Sequence, residues 1–214
     1  MPDQSRPNSP LDALLGAADN ALRALFAPSR LARPVPAGAD AAALTPAEKR
    51  HAAGLMRVNH SGEVAAQALY HGQALFARHP QTHRFLLRAA REEGDHLAWC
   101  ATRINELGAA PSRLNPLWYA GSFAVGALAA AIGDSVSLGF VVETEKQVEG
   151  HLASHLTLLP ANDCRSRAIV TAMQADEAGH AQTAQHCGAR LLPAPVPTLM
   201  SLVAKVMTRT AYFV

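Results

Sequence analysis

The sequence predicts an all-α protein, and three observations lead to this fold class. Its long alanine-rich stretches contain few valines or isoleucines, which favours helices over sheets. Apolar residues recur every three or four positions through several segments, as on the buried face of a helix. No segment sustains the alternation of apolar and polar residues that is typical of a half-buried strand. The 214 residues suit one helical domain with a buried core, and two full domains would be tight.

The N-terminal part of the chain differs in composition from the rest. Residues 1–10 and 28–45 are rich in proline, serine, alanine and glycine, and we expect a tail and a linker there. Between them, apolar residues at helical spacing predict a short amphipathic helix over 11–26. The sequence therefore divides into residues 1–45, a tail with one helix and a linker, and residues 46–214, the folded domain.

The domain begins with a clear helix start. Thr45, Pro46 and Glu48 occupy the N-cap, first and third helical positions, where each residue type is favoured. Prolines and glycines further along the chain divide the domain into successive helices. The long helices are predicted at 46–79, 81–107, 134–159 and 164–188.

Two further segments are apolar enough to raise the question of a membrane. Residues 114–133 contain no charged residue, and a span of twenty is nominally sufficient to cross a bilayer. Their proline and glycine content argues against a stable transmembrane helix, so buried or interfacial helices are favoured. We expect these apolar helices near 117–133 and 198–214, and ordinary core helices remain an equally good interpretation.

Composition excludes several classes of function. A net charge of +2 without a basic run gives no indication of nucleic-acid binding. Three widely separated cysteines predict neither disulfides nor a thiolate metal site, and they fit a reducing compartment. The sequence shows neither a secretory signal nor an acid-poor transit peptide, so we expect a protein on the cytoplasmic side of a prokaryotic cell.

The most informative motif is Glu-x-x-His, which places an oxygen donor and a nitrogen donor on one helix face. The chain has three such pairs, Glu48/His51, Glu93/His96 and Glu177/His180, whereas chance predicts about 0.4. One pair alone is weak motif evidence, and each charged cluster by itself has the ordinary interpretation of a solvated helix face.

Geometry in two predicted hairpins selects two of the pairs. Glu63 and Glu93 lie about 20–25 Å on either side of the turn at residue 80, so they are level with each other. Glu145 and Glu177 are level about the turn at residue 160 in the same way. The second half of the domain therefore repeats the first, with nearly the same offset along the chain for each glutamate and for the histidine. Glu48/His51 has no counterpart, and we expect it on the surface.

The repeated pattern is the ligand set of ferritin-like di-iron carboxylate proteins: one Glu from each of two helices and Glu-x-x-His from each of the other two. Burying four carboxylates without a metal would cost far too much free energy. The predicted iron ligands are Glu63, Glu93, His96, Glu145, Glu177 and His180. In this interpretation Glu93 and Glu177 bridge two irons, each histidine binds one iron, and the other two glutamates are terminal ligands.

Neighbouring residues leave alternatives open. Glu149 lies one turn from Glu145 and could share its face, and Glu92 points about 100° away from Glu93. The candidates for hydrogen bonds around the ligands are His60, His151, Asp95 and Asp176. Histidines in such positions are more often surface or satisfied core residues.

Four motifs together closely resemble the demethoxyubiquinone hydroxylase family, over residues from about 45 to the end. They are Val58-Asn-His-Ser-Gly-Glu63, Glu92-Glu-Gly-Asp-His-Leu97, Val142-Glu-Thr-Glu-Lys-Gln-Val-Glu-Gly-His-Leu152 and Asp176-Glu-Ala-Gly-His180. By this resemblance the six predicted ligands match the iron ligands of the family, which supports Glu145 over Glu149. Animal members read His-His-Tyr where this chain reads Gly150-His151-Leu152, so only His151 carries over, as a candidate aid to substrate or electron transfer.

The resemblance implies a peripheral membrane enzyme that hydroxylates a polyprenylated quinol late in ubiquinone biosynthesis. It implies two irons per chain, with O₂ and a reductant, for which NADH is one candidate, as co-substrates. The expected location is the cytoplasmic face of the cell membrane. Other proteins of ubiquinone biosynthesis are candidate partners, and a homo-oligomer is compatible with the sequence.

Two other classes of function remain open at this point. One is a different ferritin-like di-iron protein, such as an iron store, a peroxidase or an acyl desaturase. The other is a metal-free helical protein that binds lipids or a partner.

Overall fold

A computed structural model describes residues 10–27, 31–39 and 43–214. Within these residues the chain forms seven helices and no strand, which confirms the all-α prediction. Residues 1–9 of the predicted tail, and residues 28–30 and 40–42 of the predicted linker, lie outside the described residues. The helices are α1 (Pro10–Phe26), α2 (Pro46–Phe76), α3 (Pro80–Glu106), α4 (Asn115–Ile132), α5 (Asp134–Leu158), α6 (Cys164–His186) and α7 (Pro195–Ala211).

The helix ends largely follow the local sequence signals. At the start of α2 the Thr45 hydroxyl accepts a hydrogen bond from the Glu48 backbone N–H, while the Glu48 carboxylate accepts one from the Thr45 N–H, which confirms the capping box. Helix α2 ends at Phe76, slightly before the predicted end. Helix α7 begins at Pro195 rather than 198, because proline is well tolerated in the first helical turn.

Four of the helices form a ferritin-like bundle. Helices α2 and α3 are joined by a short connection and pack along their lengths as one hairpin, and α5 and α6 form the other. At one end the buried Arg103 of α3 ties the hairpins together, since its guanidinium donates to Ser166 Oγ at 2.9 Å and to Asp163 Oδ1 at 2.8 Å. Asp163 also caps α6 by accepting from the Ser166 N–H.

Two apolar clusters of the bundle core lie on opposite sides of a polar layer. One cluster includes Met56, Trp99, Leu152 and Met173, and the other, on the opposite side of this layer, includes Tyr70. The predicted ligands fall in sequence between the members of the two clusters on every one of the four helices. Apolar packing above and below therefore positions this layer and separates it from water.

Helix α4 packs on the outside of α2 through small residues. A Cβ atom at Gly72 would collide with the Phe123 carbonyl oxygen, and one at Gly126 would collide with the Leu69 carbonyl oxygen. The two helix backbones therefore approach so closely that only glycine fits at either position.

The apolar helices keep part of their surface exposed. In α4, Tyr119, Ala129 and Ala130 are buried, whereas Leu128 and Ile132 are each 69% exposed. Helix α7 likewise exposes a group of apolar side chains, Leu199, Leu202, Val203 and Val206. Among the described residues, no helix is both long enough and apolar enough to cross a bilayer.

Candidate metal centre

The structure brings all six predicted ligands together in the polar layer. Their donor atoms form two groups, and within each group all donor atoms lie within 4.8 Å of one another. The first group is Glu63, Glu93, His96 and Glu177, and the second is Glu93, Glu145, Glu177 and His180. Glu93 and Glu177 belong to both groups, which is the arrangement that two bridging carboxylates require.

The ligand atoms are buried and short of partners. The four glutamates are at most 2% exposed, and His180 is the most exposed of the six at 6%. Both carboxylate oxygens of Glu145, both of Glu177, Oε1 of Glu93 and Nδ1 of His180 form no hydrogen bond within the described structure. Buried polar atoms without partners are rare because each costs free energy, so this donor set fits a bound cation well.

The two histidines point their Nδ1 atoms at the carboxylates. His96 Nδ1 lies 3.0 Å from Glu93 Oε2 and 3.4 Å from Glu177 Oε1. His180 Nδ1 lies 3.4 Å from both Glu93 Oε1 and Glu177 Oε2, and 3.8 Å from Glu145 Oε1. Each histidine therefore lies close to both shared glutamates, and each belongs to one of the two donor groups.

Electrostatics in this layer reflect an excess of negative charge. Burial, followed by repulsion from Glu93, raises the pKa of Glu63 well above its ordinary value. Burial, followed by repulsion from Glu177, raises the pKa of Glu145 in the same way. Burial and repulsion therefore favour the protonated form of the outer carboxyls, whereas a bound cation would favour their charged form.

The shared carboxylates and the histidines are shifted in the opposite sense. Burial raises the pKa of Glu93, but attraction to His96 and the close approach of His180 outweigh it and hold the pKa below its ordinary value. Burial lowers the pKa of His180, but the close carboxylates of Glu177 and Glu93 outweigh it and raise the pKa to about 12. The imidazoles thus serve as the cations of the layer when no metal is bound.

The outer nitrogens of the histidines are held by a crossed pair of acids. His96 Nε2 lies 2.9 Å from Asp176 Oδ2, and His180 Nε2 lies 2.6 Å from Glu92 Oε2. Asp176 directly precedes Glu177, and Glu92 directly precedes Glu93. Each Glu-x-x-His motif therefore supplies the acid that orients the histidine of the other motif, and each Nε2–H is fixed outward so that Nδ1 faces the glutamates.

These contacts distinguish between the acids that flank the ligands. Asp176 contacts a histidine as proposed, but Asp95 does not, because its carboxylate accepts from the Ala32 and Arg33 backbone and from the Arg33 side chain. Glu92 points away from Glu93, as expected, and its carboxylate therefore reaches His180 of the other hairpin. The repeat contains a signal for this contact, since Glu92 and Asp176 each stand directly before a shared glutamate.

The remaining candidates lie outside the two donor groups. His60 Nδ1 lies 3.2 Å from Asn115 Nδ2. His151 packs against His155 with ring centroids 4.0 Å apart, and in the described structure it forms no hydrogen bond with any predicted ligand. Glu149 is in neither group. A role for His151 in substrate or electron transfer stays a prediction.

The third Glu-x-x-His pair has a structural role. Glu48 caps α2 and is partly exposed, which is close to the surface position expected of it. His51 is partly buried rather than solvated, because Nδ1 lies 2.7 Å from the Tyr212 hydroxyl and Nε2 lies 3.1 Å from the Leu158 carbonyl oxygen. His51 therefore joins α2 to the ends of α5 and α7, Glu48 caps α2, and neither residue belongs to the two donor groups.

A four-helix bundle whose core holds four glutamates and two histidines in this arrangement defines the class of ferritin-like proteins with a buried carboxylate and histidine cluster suited to a metal. Comparison with known families narrows this class. The chain belongs to the family described as ubiquinone biosynthesis protein COQ7, which matches residues 50–211.

Curated relatives are similar over nearly their whole length. One from Xanthomonas oryzae pv. oryzae (strain PXO99A) is 59% identical over 210 residues, which cover 97% of this chain and 96% of the relative. One from Burkholderia multivorans (strain ATCC 17616 / 249) is 57% identical over 205 residues, which cover 95% of this chain and 99% of the relative. Both are named 3-demethoxyubiquinol 3-hydroxylase.

Proposed function

We propose that this chain is a 3-demethoxyubiquinol hydroxylase, which adds a hydroxyl group from O₂ to the ring of a polyprenylated quinol in ubiquinone biosynthesis. The observation that carries the proposal is the pair of four-residue donor groups that share Glu93 and Glu177. Family membership and the names of full-length relatives support the reaction. The proposal also includes two irons per chain, one for each donor group.

The six ligands divide into three roles. Glu93 and Glu177 would bridge the irons because each belongs to both donor groups. Glu63 and His96 would complete one position, and Glu145 and His180 would complete the other. A bound pair of irons supplies the two electrons that reductive activation of O₂ requires, and carboxylate-rich ligation suits that chemistry.

The protein around the ligands orients them and excludes water. The apolar clusters on both sides of the polar layer keep solvent from the carboxylates, which strengthens every electrostatic interaction there. Asp176 and Glu92 hold the protons on the outer nitrogens of His96 and His180, so both inner nitrogens are available as ligands.

We further propose that the protein binds the cytoplasmic face of the cell membrane peripherally, because a polyprenyl substrate resides in the bilayer. The exposed apolar side chains of α4 and α7 support this, since such surfaces favour the membrane interface. Other proteins of ubiquinone biosynthesis and further copies of the chain are candidate partners.

Membrane binding is tested by flotation with phosphatidylcholine vesicles. The double variant Leu128→Glu/Ile132→Glu should float less than the wild type, because both side chains are exposed on α4. Leu191→Glu is the matched control, since Leu191 is also exposed but lies outside α4 and α7. Equal flotation of all three proteins would contradict the assignment of α4 to the interface.

The reaction is tested with anaerobically iron-reconstituted protein and a demethoxyubiquinol that has a short prenyl chain. After addition of ¹⁸O₂, and of NADH as the candidate reductant, mass spectrometry should show one labelled oxygen in the quinone product. Glu177→Ala should abolish product formation because it removes a bridging carboxylate. Full turnover in Glu177→Ala, or a product without label, would refute the proposal.

A genetic experiment tests the substrate independently. Cells that lack this protein should accumulate demethoxyubiquinone, and expression of the wild-type chain should restore ubiquinone. An unchanged quinone profile would exclude this substrate and leave another ferritin-like activity.

A further inference from the structure

The sequence predicts a linker over residues 28–45, but in the structure residues 31–39 of this linker pack against the bundle near the polar layer. The Ala32 backbone N–H donates to Asp95 Oδ1 of α3 at 2.7 Å. Val35 packs against the first apolar cluster, and Gly38 lies so close to the Cys164 carbonyl oxygen that a Cβ atom would collide with it. The segment therefore has a defined path from α3 to α6.

Arg33 is the residue of this segment that reaches the metal site. Its Nε donates to Asp95 Oδ2 at 3.1 Å, and its Nη1 donates to Asp176 Oδ2 at 2.7 Å. The guanidinium also lies over the Trp99 ring, 4.7 Å from the ring centroid, and its Nη2 lies 3.4 Å from His96 Nε2. Asp176 Oδ2 is the same oxygen that lies 2.9 Å from His96 Nε2, so one atom serves both the arginine and the histidine.

The other half of the site has no such arrangement. Glu92, the partner of His180, forms no ion pair with an arginine in the described part of the chain. Asp95 directly precedes His96, whereas the residue directly before His180 is Gly179, which has no side chain to hold an arginine. The six ligands therefore repeat between the two halves, but the acids behind the histidines do not. Only Asp176, which contacts His96, also pairs with an arginine in the described part of the chain.

We propose that Arg33 is a positioning residue that makes the metal position at His96 different from the one at His180. An acid that accepts a hydrogen bond from a ligand histidine increases the basicity of that histidine. The Arg33 guanidinium binds the same oxygen of Asp176 that accepts from His96, which reduces the negative charge that this oxygen presents to His96. Glu92 pairs with no arginine in the described part of the chain, so its negative charge acts on His180 without this reduction. His96 is thus held in one orientation and is the weaker electron donor of the two. This inference rests on the proposed di-iron centre.

A simpler role for Arg33 would be to tether residues 31–39 to α3. The backbone hydrogen bond from Ala32 to Asp95 already does this. If Arg33 were only a tether, it would act by holding residues 31–39 in place. The effect of replacing Arg33 would then be the same with or without the Asp176 carboxylate. The two roles are therefore separable by experiment.

The experiment uses full-length protein loaded anaerobically with ⁵⁷Fe(II), without substrate. Mössbauer spectra of the wild type should show two distinct components of equal area. Arg33→Gln should shift one component and leave the other. Titration against a chelator should show tighter iron binding at one of the two sites only, because Asp176 then keeps its full negative charge beside His96. Arg23→Gln is the matched control, because Arg23 forms an exposed ion pair with Asp19 on α1.

A double-mutant cycle identifies the route of the effect. If Arg33 acts through Asp176, Arg33→Gln should have no further effect in an Asp176→Asn background. Arg33→Met, which keeps a long side chain without the charge, carries the same test if Arg33→Gln loses helicity. An unchanged spectrum in Arg33→Gln, equal changes in both components, or additive effects in the cycle would overturn the proposal. A wild type that binds no iron would overturn the di-iron centre itself, and this inference with it.

Discussion

Glu92 lies 2.6 Å from the outer nitrogen of His180, although the two residues belong to different hairpins of the bundle. The contact reproduces the one between Asp176 and His96 on the other side of the site. The two Glu-x-x-His motifs are thus interlocked, since the residue before each shared glutamate supports the histidine of the opposite motif. The sequence repeat that aligns the ligands in the two hairpins therefore also aligns the acids that contact the two histidines.

Replacement of Glu92 should weaken iron binding at the His180 position. Glu92→Ala removes the acceptor that fixes the imidazole, so affinity at one of the two sites should fall about 10- to 100-fold. Glu92→Gln should have a smaller effect, because the amide oxygen still accepts a hydrogen bond. Anaerobic titration with Fe(II) against a chelator measures both, and unchanged affinity in Glu92→Ala would show that the contact has no role in ligation.

The sequence predicts the four-helix bundle and the six-residue cluster because both follow from periodicity and spacing within long helices. Glu92 is within reach of the same reasoning, since it and Asp176 occupy equivalent positions in the two halves of the repeat. Arg33 is not, because it contacts Asp176 across 143 residues from a segment with no helical period. In a helix the number of residues between two side chains fixes their relative positions. In an irregular segment such as residues 31–39 it does not, so this contact could not be predicted from the sequence.

The choice between Glu145 and Glu149 is testable by metal content. Glu145 is 1% exposed and belongs to a donor group, whereas Glu149 is partly exposed and belongs to none. Glu145→Ala should therefore retain less than two irons per chain after anaerobic reconstitution. Glu149→Ala should bind as much iron as the wild type. Elemental analysis of desalted protein measures the difference, and the reverse pattern would move the ligand by one turn.

Acid should destabilise the fold through buried neutral histidines. Burial, followed by the nearby His151 and His51, lowers the pKa of His155 to about 3, and burial lowers those of His60 and His71 to about 4. The unfolded chain binds protons at these positions below about pH 6.5. Stability therefore falls as the pH drops from 6.5 towards 4, by at most about 1.4 kcal/mol per pH unit for each histidine.

His155→Gln isolates one of these contributions. Urea unfolding of the metal-free protein between pH 4.5 and 7.5 should show a smaller loss of stability in this variant than in the wild type. His83→Gln is the control, since His83 is exposed. Parallel pH profiles for the wild type and His155→Gln would mean that His155 is protonated in the folded protein.

The close approach of α2 and α4 should make Gly72 intolerant of substitution. A methyl group there meets the Phe123 carbonyl oxygen, which belongs to a helix backbone and cannot move alone. Gly72→Ala should therefore cost about 1–3 kcal/mol of unfolding free energy. Gly121→Ala in α4 is the control, because nothing lies within 4 Å of its Cβ position, and its higher helix propensity should leave stability equal or improved. Chemical denaturation distinguishes the two outcomes.

Removal of the metal should lower the thermal stability of the bundle. The four glutamates are at most 2% exposed, and burial and mutual repulsion raise the pKa of Glu63 and Glu145, a cost that a bound cation would relieve. A ligand that binds only the folded state stabilises it by about 4 kcal/mol at a concentration 1,000 times its Kd. The iron-loaded protein should therefore have a higher Tm than the same protein after chelation under anaerobic conditions.

Glu63→Met separates the two contributions to that difference. It replaces one buried carboxyl group with an apolar side chain that fills the space, so the metal-free variant should be more stable than the metal-free wild type. It also removes a ligand, so iron should raise its Tm less. Calorimetry with and without iron gives all four values. A metal-free variant that is less stable than the wild type would mean that Glu63 stabilises the fold without any cation, which the crowding of carboxylates in this layer argues against.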